Sequence, residues 1–337
     1  MRITRWIGLA AFAVAAPAAA QVTLNASSWV PPSHLITAEI LVPLCADMEK
    51  VTAGRVKCNM LPKAAAAPPQ TFDAIRDGLA DISFLSHGYT PGRFLLNGAV
   101  EFPFYCETAE ASSIAYQRVY EKILAKAEEH KGVVVLSMMT HGPAAIYNTK
   151  HAITSLKDMQ GMKIRVGSAP VGDIIRALGA VPMMKPINET YELLSSGVAD
   201  GVVMPKETPL AFKLTPLVKH VTLVPGGLYS QSMAWIANPA KWNAISAADR
   251  KLIQPLLGEA LARRSGRAWD ASDIRGAAAL QAANIPVVKA SPALVADIKA
   301  KTASLEKEWI EKSAKPRGLD GAAILKMFRT ESARLSH

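Results

Sequence analysis

The sequence predicts an α/β fold built from two α/β units. Three features point that way. A strand–helix–strand–helix–strand order runs from Val22 to Leu85, and the same grammar restarts between Met162 and Met204. A helical stretch from Ser246 to about Asn284 is then long enough to lie across both units. With 337 residues the chain has room for two domains or one large one, and for a sizeable core without staples. Hydrophobic residues make up 50% and charged residues 20%, which excludes a mostly disordered chain.

Val22 to Ala26 reads as the first strand. Pro31-Pro32-Ser33 form a loop, and Leu35 to Thr52 read as a helix that Gly54 ends. Arg55 to Met60 alternates as a second strand. Pro68-Pro69 opens a helix from Gln70 to about Leu79, because proline fits the first turn. Ala80 to Leu85 is a third strand. In the second unit, Met162 to Val166 is a strand and Val171 to Leu178 a helix closed by Gly179. Val181 to Met184 is a short strand, Glu189 to Ser195 a helix ended by Gly197, and Gly201 to Met204 a strand stopped by Pro205. Such alternation predicts parallel sheets covered by helices. Ser246, with Asp249 three residues on, is a good start for the long helix. Pro255 is expected to kink it. About 30 helical residues span roughly 45 Å, more than one small domain. From Pro292 onward the tail reads as two helices split near Pro316-Arg317-Gly318.

The first 20 residues form a leader. Arg2 and Arg5 precede an apolar stretch from Trp6 to Ala16, and Ala18-Ala19-Ala20 gives a small-residue cleavage site before Gln21. The stretch falls far short of the ~20 residues a membrane span needs. The expected mature chain is therefore exported, with cleavage after Ala20. Cys45, Cys58 and Cys106 would then meet oxidising conditions, and at most one bridge can form among the three. Whether Cys45 and Cys58 meet, or all three are buried small hydrophobes, is open at this point.

The net charge of +10 permits an anionic partner without naming one. Nucleic acid would call for clustered Arg and Lys with interleaved aromatics. The final 49 residues instead mix 10 Lys/Arg with 6 Asp/Glu at helical spacing, which reads as a solvated face. No nucleophile elbow, HExxH, Walker A loop or GxGxxG after a strand is present. Arg165 stands out, at the end of a strand in a sheet expected to be buried. Ligands of open α/β sheets bind beyond the carboxyl ends of the strands, and an arginine there offers a planar fork to a carboxylate. The alternative is an edge-strand arginine reaching water.

From Leu156 to Pro205 the sequence resembles the solute-binding proteins of TRAP (tripartite ATP-independent periplasmic) transporters. The matching motifs are Lys163-Ile164-Arg165-Val166, Leu178-Gly179-Ala180-Val181-Pro182, Glu189-Thr190-Tyr191 and Gly197-Val198-Ala199-Asp200-Gly201. Upstream, Gly54-Arg55-Val56, Gly78-Leu79-Ala80-Asp81-Ile82 and Glu101-Phe102-Pro103-Phe104 fit in order, so the resemblance spans the mature chain. It implies a type II periplasmic-binding-protein-like fold: two α/β domains with a ligand cleft between them, crossing hinge strands and a long helix spanning both. The implied division is 22–143 plus 231–270 for the first domain and 144–230 plus 271–337 for the second.

The resemblance further implies a periplasmic, monomeric receptor that closes on a small organic acid without cofactor or metal. It would serve small and large integral membrane subunits of a permease, with no nucleic-acid partner. Arg165 matches the arginine that clamps the ligand carboxylate. The other positions implied for the pocket are Ser168, Ile187 and Met204 of the second domain, Ser86, His87 and Tyr89 after the third strand, and Trp29 and His34 on the first strand–helix loop. Tyr229 and Glu207 are further candidates, as pocket wall and hydroxyl partner. Many relatives carry a second ligand arginine at a position that falls on Ala145 here. A single arginine suggests a monocarboxylate with hydroxyls or an aromatic or apolar body. Two competing readings remain: an exported enzyme using His87 or Glu207 as base, and a ligand-sensing subunit for a signalling receptor.

Overall fold

In the computed structural model, which describes residues 21–336, the first four strands are β1 (Val22–Ala26), β2 (Val56–Met60), β3 (Ile82–Ser86) and β4 (Val134–Thr140). Five follow: β5 (Ala145–Asn148), β6 (Lys163–Val166), β7 (Val181–Met184), β8 (Gly201–Met204) and β9 (His220–Leu223). The last are β10 (Ser232–Ala237) and β11 (Val287–Lys289). The expected leader, Met1 to Ala20, lies outside the described residues.

The strands divide into two sheets, β2-β1-β3-β10-β4 and β11-β9-β5-β8-β6-β7. Neither sheet is purely parallel, which corrects the expectation. β10 runs antiparallel to β3 and β4, and β5 antiparallel to β8 and β9. The reason is connectivity. The chain leaves the first sheet at Thr140 and enters the second at Ala145. It returns between Leu223 and Ser232. These crossing segments insert β5 and β10 against the direction of their neighbours. Both faces of the central strands of each sheet are buried. Phe84 and Trp235 pack on one face of the first sheet, while Leu85, Ala234 and Ile236 pack on the other. In the second, Ile164, Val166 and Val203 face one core and Val202 and Met204 the other.

The long helix differs from expectation. Ala247–Ile253 is helical and capped by Ser246, whose side chain accepts from the Asp249 backbone N–H. Pro255 then sits in a short 3-10 turn, and Gly258 takes φ +57°. A new helix, Glu259–Ala282, begins there. The chain thus breaks where a kink was expected, because a proline followed by a left-handed glycine ends the hydrogen-bond ladder. Glu259–Ala282 still spans both units. A Cβ on Gly266 would lie 2.3 Å from the Glu110 Cα in the first, and one on Gly276 would lie 2.1 Å from the Lys206 carbonyl in the second.

The tail also departs from the expected division, which placed 271–337 with the second domain. Leu294 and Ile298 of helix Pro292–Trp309 pack in the second unit's core. Trp309, Ala314, Ile324, Leu325 and Phe328 pack in the first. The C-terminal helix Gly321–Leu335 therefore belongs with the first sheet, because its apolar stripe finds helix Ala109–Lys122 there. Cys45, in helix Val42–Val51, forms a disulfide with Cys58 of β2, while Cys106 is free and buried. No described helix is long and apolar enough to cross a membrane.

Candidate functional site

Side chains alternate along β6, so Ile164 and Val166 enter the core while Arg165 faces the other way. The strand is interior, pairing with β8 at Val202 and with β7 at Met183, so Arg165 is no edge arginine reaching water. It is 2% exposed. Its Nε–H donates to the Lys185 carbonyl at 2.8 Å, and Nη2–H to the Tyr89 hydroxyl at 3.2 Å. Among the described residues no carboxylate lies within salt-bridge distance of it.

Arg165 opens into a small cavity of about 50 Å³ at the junction of the two units. Nine of the eleven residues expected there line it: Trp29, His34, Ser86, Tyr89 and Tyr229 from the first unit and the crossing, and Arg165, Ile187, Met204 and Glu207 from the second. The walls are aromatic, with the Trp29 ring tilted against Phe84 at 4.5 Å and against Tyr89 at 5.8 Å. Trp269, on the long helix, stands 5.8 Å from His34 and from His141. Tyr229 contributes its ring, since its hydroxyl donates to the Val203 carbonyl at 3.1 Å. Tyr89 bridges the units: its hydroxyl accepts from Arg165 and, at 3.0 Å, from the Ile187 N–H.

The other pole is acidic. Glu207 is buried and accepts from the Thr208 hydroxyl at 2.7 Å. His34 Nε2 is 3.7 Å from its other oxygen, a gap too long for a hydrogen bond. The Glu207 N–H donates to Asp273 on the long helix at 2.9 Å. Burial raises the Asp273 carboxyl to about 7, against the pull of that bond.

Two expected residues fall outside this cavity. His87 points into a neighbouring one, where its Nε2 meets His130 Nε2 at 2.8 Å. Ser168 bonds Glu101 at 2.5 Å and caps helix Ala169–Ala177. His87 is therefore not placed to act as a base beside Arg165, whereas Glu207, the other base the enzyme reading named, lines the cavity. Residues the sequence did not single out complete the wall, notably His141, Gln231 and Trp269. His141 donates Nδ1–H to the Gly142 carbonyl at 2.6 Å and accepts the Gln231 N–H at Nε2, 3.2 Å away. Burial lowers it to about 4, with Arg165 a lesser cause, so it stands neutral beside the guanidinium. Among the described residues no group of three or more His, Cys, Asp or Glu is gathered as a metal site.

A cleft between two mixed sheets, crossed by strands and one long helix, with a lone buried arginine, has clear counterparts. The family model for bacterial extracellular solute-binding protein, family 7, matches residues 26–313. The chain belongs to this family. A TRAP periplasmic solute-binding protein from Bordetella bronchiseptica, with (R)-mandelate and (S)-mandelate bound, is 43% identical with a TM-score of 0.90, over 93% of this chain and 99% of its own. A marine metagenome TRAP solute-binding protein specific for aromatic acid ligands, in complex with 3-hydroxybenzoate, is 33% identical with a TM-score of 0.88, over 94% and 99%. The "Outer membrane transporter protein TsaT" of Comamonas testosteroni is 29% identical over 337 residues, 99% of each chain. In this family 7 protein the position expected to lack a second arginine, Ala145, lies on β5 opposite Met204 and packs in the core. Among the described residues, Arg165 is the one arginine lining the cavity, and no lysine joins it.

Proposed function

We propose that the protein is a periplasmic receptor for a small aromatic monocarboxylate, delivered to the membrane subunits of a TRAP permease. The observation that carries this reading is the buried Arg165 guanidinium, without a carboxylate partner among the described residues, facing an aromatic-walled cavity. An arginine cannot escape burial by losing its proton, and leaving it unpaired costs several kcal/mol. A ligand carboxylate supplies the missing anion. Aromatic walls favour a ring as the ligand body, since rings stack and meet edge to face. Glu207 at the other pole repels a second carboxylate and accepts from a ligand hydroxyl. This sets the site against dicarboxylates. The two similar structures with mandelate and 3-hydroxybenzoate bound support the same class.

Capture proceeds without chemistry. The acid meets Arg165 on the second unit, and Tyr89 and Trp29 of the first close over it. Exclusion of water then strengthens the ion pair. Closure follows because the acid binds the closed form more tightly than the open one. The test is calorimetry of the purified protein against benzoate, mandelate, 3-hydroxybenzoate, succinate and galactonate. The aromatic monocarboxylates are expected to bind, and Arg165→Ala to weaken them by about a hundredfold or more. A loss within threefold refutes the clamp. Preference for succinate refutes the role of Glu207.

A further inference from the structure

Ser168, expected at the ligand, instead reaches Glu101. Glu101 is 1% exposed and has no cation within salt-bridge distance among the described residues. Its charge is held by hydroxyl and amide donors alone. One oxygen accepts the Ser232 N–H at 2.9 Å and the Ser232 hydroxyl at 2.6 Å. The other accepts the Ser168 hydroxyl at 2.5 Å. These donors belong to different parts of the molecule. Ser232 opens β10, directly after the chain has crossed back. Ser168 lies in the second unit, three residues after Arg165 on the same turn out of β6.

The same turn is pressed onto the first unit. The Gly167 carbonyl accepts from Gln231 Nε2 at 3.2 Å, and that amide also donates to Ser86. A Cβ on Gly88 would come 2.4 Å from both the Gly167 oxygen and the Ser168 Cβ. On the receptor reading, opening of the cleft carries Ser168 away with the second unit and leaves Ser232 with Glu101 on the first. The Ser168 bond therefore exists in one state only, and an interaction made in one state alone shifts the equilibrium toward it.

We propose that Glu101 and Ser168 form the latch of the closed state, a contact between the units that holds the strand end carrying Arg165 against Tyr89. Both are positioning residues and neither touches the ligand. The inference rests on the receptor reading. Its test uses the full chain with 3-hydroxybenzoate and mandelate as probes. Ser168→Asp keeps a good N-cap but sets a second carboxylate against Glu101. It should raise the dissociation rate by about tenfold or more, with the association rate within about twofold, because the acid enters the open form. The melting temperature without ligand should stay within a degree or two, since the latch is unmade there. Glu101→Gln added to Ser168→Asp supplies an amide donor for the new carboxylate and should bring the dissociation rate back to within threefold of wild type. An unchanged dissociation rate in Ser168→Asp, or no rescue in the double variant, overturns the latch alone. If neither acid binds the wild-type protein, the receptor reading fails and takes the latch with it.

Discussion

At the residue scale, the Tyr89 hydroxyl is one of the groups that join the two units at the cavity. Tyr89 accepts hydrogen bonds from Arg165 Nη2 and the Ile187 N–H, so both of its contacts are donors to its oxygen. Its own proton remains to be given to an anion. Tyr89→Phe removes an acceptor from two buried N–H groups and a donor from the ligand, a loss of about 1–3 kcal/mol. Affinity for the best aromatic acid should fall about ten- to a hundredfold by calorimetry. A change within twofold would mean that the Tyr89 bridge is incidental to binding. Arg165 was legible in the sequence because a charge in a strand that reads as buried is an anomaly. His141, Gln231 and Trp269 were not, because each lies on a segment with no motif and comes to the cavity through the crossings and the long helix. His87 and Ser168 show a finer limit. Each lies within three residues of a true wall residue, Ser86 or Arg165, and neighbouring side chains around a strand end leave in different directions.

At the element scale, β1, β2, β7 and β8 follow from local pattern, and the helices after β6 and β7 from their glycine stops. β10 did not. Its six residues are all buried, on both faces, so it shows no alternation to read. Helix Glu259–Ala282 is the element on which both units depend, and its glycines carry a prediction. Alanine in a free helix interior is more stable than glycine by about 0.5–1 kcal/mol. At Gly276 the sign should reverse. The added Cβ would sit 2.1 Å from the Lys206 carbonyl oxygen and 2.7 Å from the Glu207 Cα. Backbone cannot swing aside as a side-chain tip can, and overpacking of this kind costs about 1–3 kcal/mol. The strain falls on the segment that presents Glu207 to the cavity. Gly276→Ala should therefore lower the melting temperature and weaken ligand binding together. A rise in melting temperature would show that the helix and the 205–208 segment are not in contact in solution.

At the scale of the whole molecule, acid stability follows from histidines buried without charge partners. Burial lowers His130 to about 3 and His141 to about 4, and it drives His87 well below 6.5, with His130 a secondary cause. In the unfolded chain each titrates near 6.5. Between about pH 6.5 and 4 the unfolded state thus binds protons that the folded state refuses, and folding loses about 1.4 kcal/mol per pH unit for each such group. Raised carboxyls act in the opposite sense. Asp273, at about 7 when folded, contributes stability that is full below its unfolded value and is lost as pH rises through 7. Glu101, Glu129 and Asp270 are raised in the same direction by burial. A comparison within one background removes these offsets. His130→Gln leaves every carboxyl in place and deletes one refused proton. The variant should be the less stable protein at pH 8, where His130 packs against Phe94 and Tyr120 with its ring neutral. As pH falls from 6.5 toward 4 the gap should close by about 1.4 kcal/mol per unit, because only the wild type carries that linkage. Urea unfolding of both proteins at pH 8, 6.5 and 5 measures it. A gap that stays constant across that range would mean His130 reaches water in the folded state.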